Sequence, residues 1–456
     1  MPGDRERPIS AATVGFACLA MLISYLPFSA ANGALGTIAA TTGAETPDLQ
    51  WVTDAFAVAL GATVLSAGVL GDLFGRRRIA LLGLALTVAG AVLDVVAGAT
   101  SAVRLLWVGQ AVAGVGGGMV MSATLALIAV RPRAIPLWAA AVVAGLGGGP
   151  FIASATTTYA AWQWTFAPIA ALAAATAVFG LVRSGESSAP DGRRLDVPGQ
   201  VAGSTGIAAL TFAVIYGGSA GWGSPVTVAA FVVALAGLAA FGLVEHRSPA
   251  PLFRPSLFAS RGFTAAGVGA TAVLFAMAGG AFVLSLSFSG RHVDALGIAN
   301  RLGCLFAANA VSSLAAGALQ TRFGSRPVLV GGLVTAALGA LSLLTVDAGS
   351  GLGAYAWRLF VLGTGSGLVM ATSSAVAVQS VPRSFAGMAG AGNNAMRQLG
   401  AALGPAVLGV LVGTRTGADL LDAVHAAAVL LALVLAAAAA AALLLLHRND
   451  PSERTA

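Results

Sequence analysis

The 456-residue chain contains no lysine, two cysteines, four tyrosines and four histidines, and only 9% of its residues are charged. A water-soluble domain carries about 25% charged residues. So few charges cannot cover the surface of a soluble protein. A soluble enzyme, a disordered chain and a secreted disulfide scaffold are therefore excluded. A phosphate-binding P-loop needs a lysine beside its glycines, so this chain supplies no ATP-driven motor. Cys18 and Cys304 lie in distant apolar runs and form neither a CxxC pair nor a metal spacing. They read as small apolar residues. No nucleophile, acid–base pair or metal cluster stands out, which implies no enzyme and no cofactor. The formal charge of +7 comes from arginines scattered between apolar runs. That pattern fits membrane loops, not a nucleic-acid surface.

What the chain does have is apolar length: 57% hydrophobic residues and a mean hydropathy of +0.89. Breaks at Arg, Pro and Asp predict spans at 13–33, 51–71, 79–98, 102–129, 135–158, 164–183, 199–218, 225–244, 262–288, 297–320, 327–346, 355–380, 386–412 and 422–446. Each approaches the roughly 20 residues that cross a bilayer. All must be helical, because an open strand leaves its backbone unsatisfied in lipid. The first run follows Arg5 and Arg7 but is long for a signal peptide. Fourteen spans return both termini to one side. With that side inside, eighteen arginines fall on inner segments and five (Arg104, Arg291, Arg301, Arg358 and Arg415) on outer ones, while Arg397 lies within a span. The positive-inside bias predicts cytoplasmic termini in the cell membrane. The polar stretches 184–198 and 245–261 are too short for a separate folded domain.

The chain repeats itself. Gly68-Val-Leu70-Gly-Asp72-Leu-Phe-Gly75-Arg76-Arg77-Arg78 follows span two, and Gly317-Ala-Leu319-Gln-Thr321-Arg-Phe-Gly324-Ser-Arg326 follows span ten. The two lie 249 residues apart, from Gly68 to Gly317. Span five carries Gly145-Leu-Gly-Gly-Gly149-Pro150, and span thirteen carries Gly400-Ala-Ala-Leu-Gly404-Pro405, 255 residues later. Such repeats are common in transporters. They predict a six-span bundle over 1–183, inserted spans seven and eight over 184–261, and a second six-span bundle with a short tail over 262–456.

The loop from Gly68 to Arg78 resembles the signature loop of the major facilitator superfamily, and the Gly149-Pro150 motif resembles its antiporter motif. The extra central spans resemble its fourteen-span drug:proton antiporter family. So do Leu49-Gln50-Trp51-Val-Thr-Asp54-Ala-Phe56, Arg194-Leu-Asp196-Val-Pro198-Gly199 and Asn394-Ala-Met-Arg397-Gln398-Leu399-Gly400. Three departures accompany the likeness. Pro27 and Ser29 stand where the family's first span has Asp and Thr before an Asn, here Asn32. Gln110 and Ala113 replace Arg and Gln in span four. Trp162-Gln163-Trp164 replaces Trp-Arg-Trp. The resemblance implies an all-helical integral membrane protein with the major facilitator fold, alternating access and exchange of a small hydrophobic substrate for protons.

Asp54 is the leading candidate for the proton or cation site, since an ionisable group inside a span is costly. A helix cap near water is its bland alternative. Trp51, Asn32 and Gln110 are assigned with it to the substrate and proton path. Gly68, Asp72, Gly75, Arg76, Arg77 and Arg78 form the signature loop, which the resemblance implies to lock the two bundles together. Gly145, Gly149 and Pro150 are a small-residue, proline-broken contact, read through the resemblance as an antiporter hinge, and Gly114, Gly116 and Gly118 read likewise. Arg397 has a gating or structural role. Asp94, Arg104, Arg301 and Arg358 are expected to snorkel at outer span ends, and His425 to be interfacial. Spans one, two, four and five predict a broad apolar cavity, which favours hydrophobic or amphipathic solutes over sugars. Export by proton antiport is the leading reading. A proton-independent facilitator and a non-transporting ligand- or lipid-binding relative stay open. The expected partners are substrate, protons and the bilayer, without nucleic acid, for a monomer.

Overall fold

A computed structural model describes residues 10–128, 134–188, 196–247, 255–382, 385–413 and 419–446. Arg5, Arg7, Arg131, Arg133, Arg193, Arg194, Arg254, Arg383, Arg415, Arg448 and Arg454 lie outside the described residues. Fourteen long helices follow one another: α1 (Ala11–Thr42), α2 (Thr46–Phe74), α3 (Arg76–Ala99), α4 (Val103–Ile128), α5 (Ile135–Tyr159), α6 (Phe166–Arg183), α7 (Val197–Ala220), α8 (Pro225–Arg247), α9 (Arg261–Gly290), α10 (Ala295–Phe323), α11 (Ser325–Ser342), α12 (Leu352–Gln379), α13 (Ala386–Val412) and α14 (Asp419–Leu445). Thirteen are long and apolar enough to cross a membrane, and α2, bent by 51° between Val64 and Ser66, makes the fourteenth. Beside the bend, Ser122 of α4 donates to the Val64 carbonyl and Gln200 of α7 to the Ala62 carbonyl.

Two boundaries differ from the sequence reading by five residues or more. α1 runs nine residues past the expected end at 33, and α2 begins five residues before 51. A partner helix covers part of this added length. At Gly36, for example, an added Cβ would lie 1.8 Å from Ser289 Oγ of α9. Ser10 caps α1, whose end is turned by Gly43 at φ +68°, and Pro47 sits in the first turn of α2.

Within α1–α6 and again within α9–α14 the same helix pairs meet through glycine. A Cβ on Gly114 of α4 would lie 2.3 Å from the Phe56 carbonyl oxygen of α2, and one on Gly118 would lie 2.9 Å from the Leu60 carbonyl oxygen. In the second half Gly363 and Gly367 of α12 would each meet a carbonyl oxygen at 2.2 Å, that of Leu305 and that of Asn309 on α10. Every one of these eight residues has its counterpart 249 positions away. Gly116 against Gly83 and Gly365 against Gly332 repeat the pattern between α3 and α4 and between α11 and α12. The proline-linked glycines repeat it once more: Gly145 abuts the Leu22 carbonyl of α1, and Gly400 abuts the Thr271 carbonyl of α9. Small residues let backbones approach closely where lipid supplies no hydrophobic drive. α1 and α9 are buried along most of their length, each at the heart of its half.

α7 and α8 pack on each other. α7 leans on α2 and α13, and α8 is largely exposed. Phe212 of α7 lies 6.3 Å from Trp51, which is 6.2 Å from Trp107, and Trp107 Nε1 donates to the Asp48 carbonyl at 2.9 Å.

Gly116→Ala or Gly365→Ala is expected to destabilise the protein by about 1–3 kcal/mol, because a methyl there meets backbone. Gly331→Ala, which meets nothing within 4 Å, is expected to be neutral or to stabilise by up to about 1 kcal/mol. Thermal unfolding in detergent distinguishes the two classes.

Candidate functional site

The two halves meet through α5 and α10, α2 and α13, and α1 and α9. No comparable packing joins α4 to α12 among the described residues. Between the halves lies a narrow apolar cleft of about 20 Å³ of free space, walled by Phe28, Pro150, Met277, Leu302 and Phe306. That volume holds about one water, so this conformation is closed around its centre. Asn32 and Ser29 are the polar wall residues. Asn32 is buried; its Nδ2 donates to the Phe28 carbonyl at 3.2 Å, and its Oδ1 has no partner. Asn32 therefore lines the cleft between the halves.

Few polar bonds cross between the halves. Hereafter the N-face is the end of the bundle holding the start of α1, and the far face is the opposite end. At mid-depth Gln398 Nε2 donates to Tyr25 Oη at 2.9 Å, and Asn394 Nδ2 lies 3.1 Å from Met121 Sδ. Nearer the far face Ser285 Oγ donates to the Asn32 carbonyl at 2.6 Å. Gln50 Nε2 donates to the Pro405 and Ala406 carbonyls at 3.0 and 3.1 Å, and Thr46 Oγ1 donates to the Gly413 carbonyl at 2.6 Å. Gly409 makes room for the Gln50 amide. Sequence reasoning missed Tyr25 and Ser285. A lone Tyr and a lone Ser in apolar spans carry no pattern.

Asp54 is fully buried and neither carboxylate oxygen has a hydrogen-bond partner. It stands eight residues into α2, about 12 Å from the helix start, too deep to cap it. Gln50, Asp54, Ala57 and Gly61 share one stripe of α2. Gln50 bonds α13, and a Cβ on Gly61 would touch the Gln398 side chain of α13 at 2.9 Å. The Asp54 carboxyl therefore lies on the face that α13 covers. Its counterpart 249 positions later is Gly303, which packs against Phe151 of α5. The fold thus accepts glycine there, and the acid is an addition to it.

Several assignments need correction. Trp51 does not line the cleft; it joins the aromatic contacts with Trp107 and Phe212 that hold α7, on the flank of α2 beside the α13-facing stripe. Gln110 also faces away, toward α3, where it donates to Asp94 Oδ2 at 2.7 Å. Asp94 and Arg358, expected to snorkel, are both buried. Arg358 instead bonds the Ser342 carbonyl and the Thr345 hydroxyl at the end of α11.

The signature loop ties α2 and α3 to their own half. Arg76 bonds Asp72 at 2.9 Å, the Ala126 carbonyl at 3.2 Å and Ser187. The Arg77 backbone N–H donates to Glu186 at 2.9 Å, and its guanidinium donates to the Leu181 carbonyl. Arg78 approaches Glu186 at 3.9 Å. Gly75, at φ +107°, turns the chain against Glu186. Among the described residues, the partners of these three arginines lie within residues 72–187. Gly68 faces open space. Gly145, Gly149 and Pro150 pack on α1, Gly149 against Ser29 and Ala30, and Gly33 of α1 against Pro150. Pro150 also walls the cleft. Arg397 reaches from α13 to the Met370 carbonyl, Ser373 Oγ at 3.1 Å and Ser374 Oγ at 2.5 Å, all on α12.

Replacing Asp54 with Leu is expected to leave thermal stability unchanged or to raise it by about 1–3 kcal/mol, since an unsatisfied buried polar group is removed. A clear loss of stability in the unfolding midpoint would mean that the carboxyl serves packing.

A family model described as Major Facilitator Superfamily matches residues 17–308 and 301–456. The chain is 29% identical over 383 residues to the tetracenomycin C resistance and export protein of Streptomyces glaucescens, covering 82% of this chain and 70% of that protein. It is 30% identical over 429 residues to the puromycin resistance protein pur8 of Streptomyces alboniger, covering 88% and 82%. Among solved structures, a POT family transporter in complex with 5-aminolevulinic acid matches with a TM-score of 0.70 at 12% identity, over 95% of this chain and 96% of that one. That likeness concerns the fold alone.

Proposed function

Because the chain belongs to the Major Facilitator Superfamily, we propose that it exports hydrophobic or amphipathic small molecules, antibiotics among them, in exchange for protons. The observation that carries this reading is the apolar cleft shared by α1, α5, α9 and α10, with the single unsatisfied amide oxygen of Asn32 on its wall. Such a wall suits greasy solutes and offers little to a sugar. The relatives named for tetracenomycin and puromycin resistance support the same substrate class.

Alternating access follows from how the halves are joined. Glycine-to-backbone contacts fix each half internally. Between the halves run a handful of hydrogen bonds, each worth about 1 kcal/mol net. Substrate and proton binding can supply energies of that size. In the conformation described, α1 and α9 meet toward the far face through Ser285 and the Asn32 carbonyl. We place the N-face in the cytoplasm. Arg76, Arg77, Arg78, Arg183, Arg247, Arg261, Arg322 and Arg326 sit at that end, against Arg104, Arg291, Arg301 and Arg358 at the other. A single chain forms the whole cleft, so a monomer in the cell membrane suffices. A C-terminal reporter reading the outer side would contradict this orientation.

In this reading Asp54 holds the exchanged proton. It releases the proton when α13 moves off α2, and water then solvates the carboxylate. A second reading, a proton-independent facilitator, is favoured by Pro27, which is buried in α1 where the resembling family has an acid.

Proteoliposomes carrying the purified protein separate the two. With puromycin as substrate, uphill accumulation is expected only under an imposed pH gradient, and Asp54→Asn is expected to lose at least tenfold of the gradient-driven flux. Equal flux with and without the gradient supports the facilitator. Undiminished, gradient-driven flux in Asp54→Asn removes Asp54 from the proton path.

A further inference from the structure

A second carboxyl is built into the first half, away from the cleft. Asp94 of α3 is fully buried. Gln110 of α4, also fully buried, donates Nε2 to Asp94 Oδ2 at 2.7 Å. Two acceptor atoms remain without donors, Asp94 Oδ1 and Gln110 Oε1. The backbone makes space for the acid: a Cβ on Gly109 would lie 2.1 Å from Asp94 Oδ1. α3 also packs against α6, the 3₁₀ turn Trp162–Thr165, α2 and α1, and among the described residues no cation from any of them pairs with it. On α4, Arg104 is exposed at the far end. On α6, the titratable Arg183 is exposed at the opposite end. The turn presents Gln163 beside Gly98. On α2, Asp48 lies in the first turn and Asp54 faces α13. On α1, Tyr25 bonds Gln398, and Cys18 lies toward the N-face.

The internal repeat supplies a control. The positions 249 residues after Asp94 and Gln110 are Leu343 and Leu359, both buried. The fold packs with leucine at this pair, so the acid and amide are not needed to hold α3 on α4. A buried ionic or polar group in a span is costly and usually functional.

We propose that Asp94 is a proton-binding site, with Gln110 as the positioning residue that reads its state. One proton on Asp94 Oδ1 supplies the donor that this site lacks. The neutral acid and a primary amide can then make complementary bonds, whereas the carboxylate keeps one neutral donor and no counter-charge. Asp94 lies five residues from the end of α3, about 8 Å from the far face, so the route for a proton from that side is short. Water entering at the far-face ends of α3 and α4, outside the contact of Gly90 with the Gly109 carbonyl, is what would release it, without a shift of the two helices. α4 also grips α2, the helix of Asp54, through Gly114 and Gly118. Its use in coupled export rests on the exporter reading; its proton binding does not.

The test is made on the purified full-length protein in lipid nanodiscs, without substrate. Protons released on raising the pH are counted, and the protonated-carboxyl band is followed by infrared difference spectroscopy. Asp94→Asn, which keeps the shape and the Gln110 contact, is expected to release one proton fewer per molecule and to lose one band component that Asp54→Asn retains. Gln110→Leu is expected to shift the frequency of that component. Should Asp94→Asn not fold, the Gln110→Leu shift in protein carrying ¹³C-labelled aspartate identifies the group. An unchanged proton count and band in folded Asp94→Asn, or no shift with Gln110→Leu, overturns the proposal. Loss of puromycin flux in the wild type would bear on the exporter reading and leave this count untouched.

Discussion

Glycine set against backbone is the constraint on which this structure depends. Lipid gives apolar helices no reason to prefer one another over the solvent around them, so association rests on close van der Waals contact. Gly114 against Phe56, Gly363 against Leu305, Gly145 against Leu22 and Gly400 against Thr271 bring the helices of each half closer than any side chain permits. A contact of that kind has one geometry. It makes each half a rigid body, and its recurrence 249–255 residues later makes the two bodies alike.

The contacts between the halves are of another kind. They run through side chains: the Gln398 amide on Tyr25, Gln50 on the carbonyls beside Pro405, and Ser285 on the Asn32 carbonyl. Side chains can change partners where backbone cannot. The difference in contact chemistry therefore selects the plane along which the protein opens. It also locates the orphaned carboxyl of Asp54 at that plane, where opening changes its surroundings most. The inserted α7 sits across the same plane, holding α2 through Trp51 and Gln200 while touching α13.

Much of this was legible in the sequence. Apolar run lengths gave all fourteen helices, because lipid leaves no other secondary structure available to them. The repeated loop and the paired Gly-Pro motifs gave the two-fold plan, since backbone contact tolerates no residue but glycine. Asp54 was legible as a costly charge in a greasy segment. What stayed hidden was facing. Trp51 and Asp54 are three residues apart on α2, yet one holds α7 and the other faces α13. Run length carries no angular information when every side of a helix is apolar. Gln110 was misplaced for the same reason, and Asp94 was taken for an interfacial acid because distance from a helix end does not report what covers it. Partners drawn from the other half, such as Tyr25 with Gln398, are 373 residues apart and have no local signature. The signature loop has the opposite lesson: its residues were found, but the described partners of its arginines, Asp72, Ala126, Leu181, Glu186 and Ser187, carry no signature of their own.

The account stands on rigid halves that move against each other, and paired spin-label distances test that directly. Labels are placed in the full-length protein in nanodiscs, with Cys18 and Cys304 replaced by alanine. One pair, Thr41 and Leu296, spans the two halves at the far face; the other, Thr41 and Thr100, lies within the first half, and all three positions are exposed. On adding substrate or changing pH, the Thr41–Leu296 distribution should gain a longer component while the Thr41–Thr100 distance stays fixed. Equal changes in both pairs, or a Thr41–Leu296 distance that never lengthens under any condition, would contradict it.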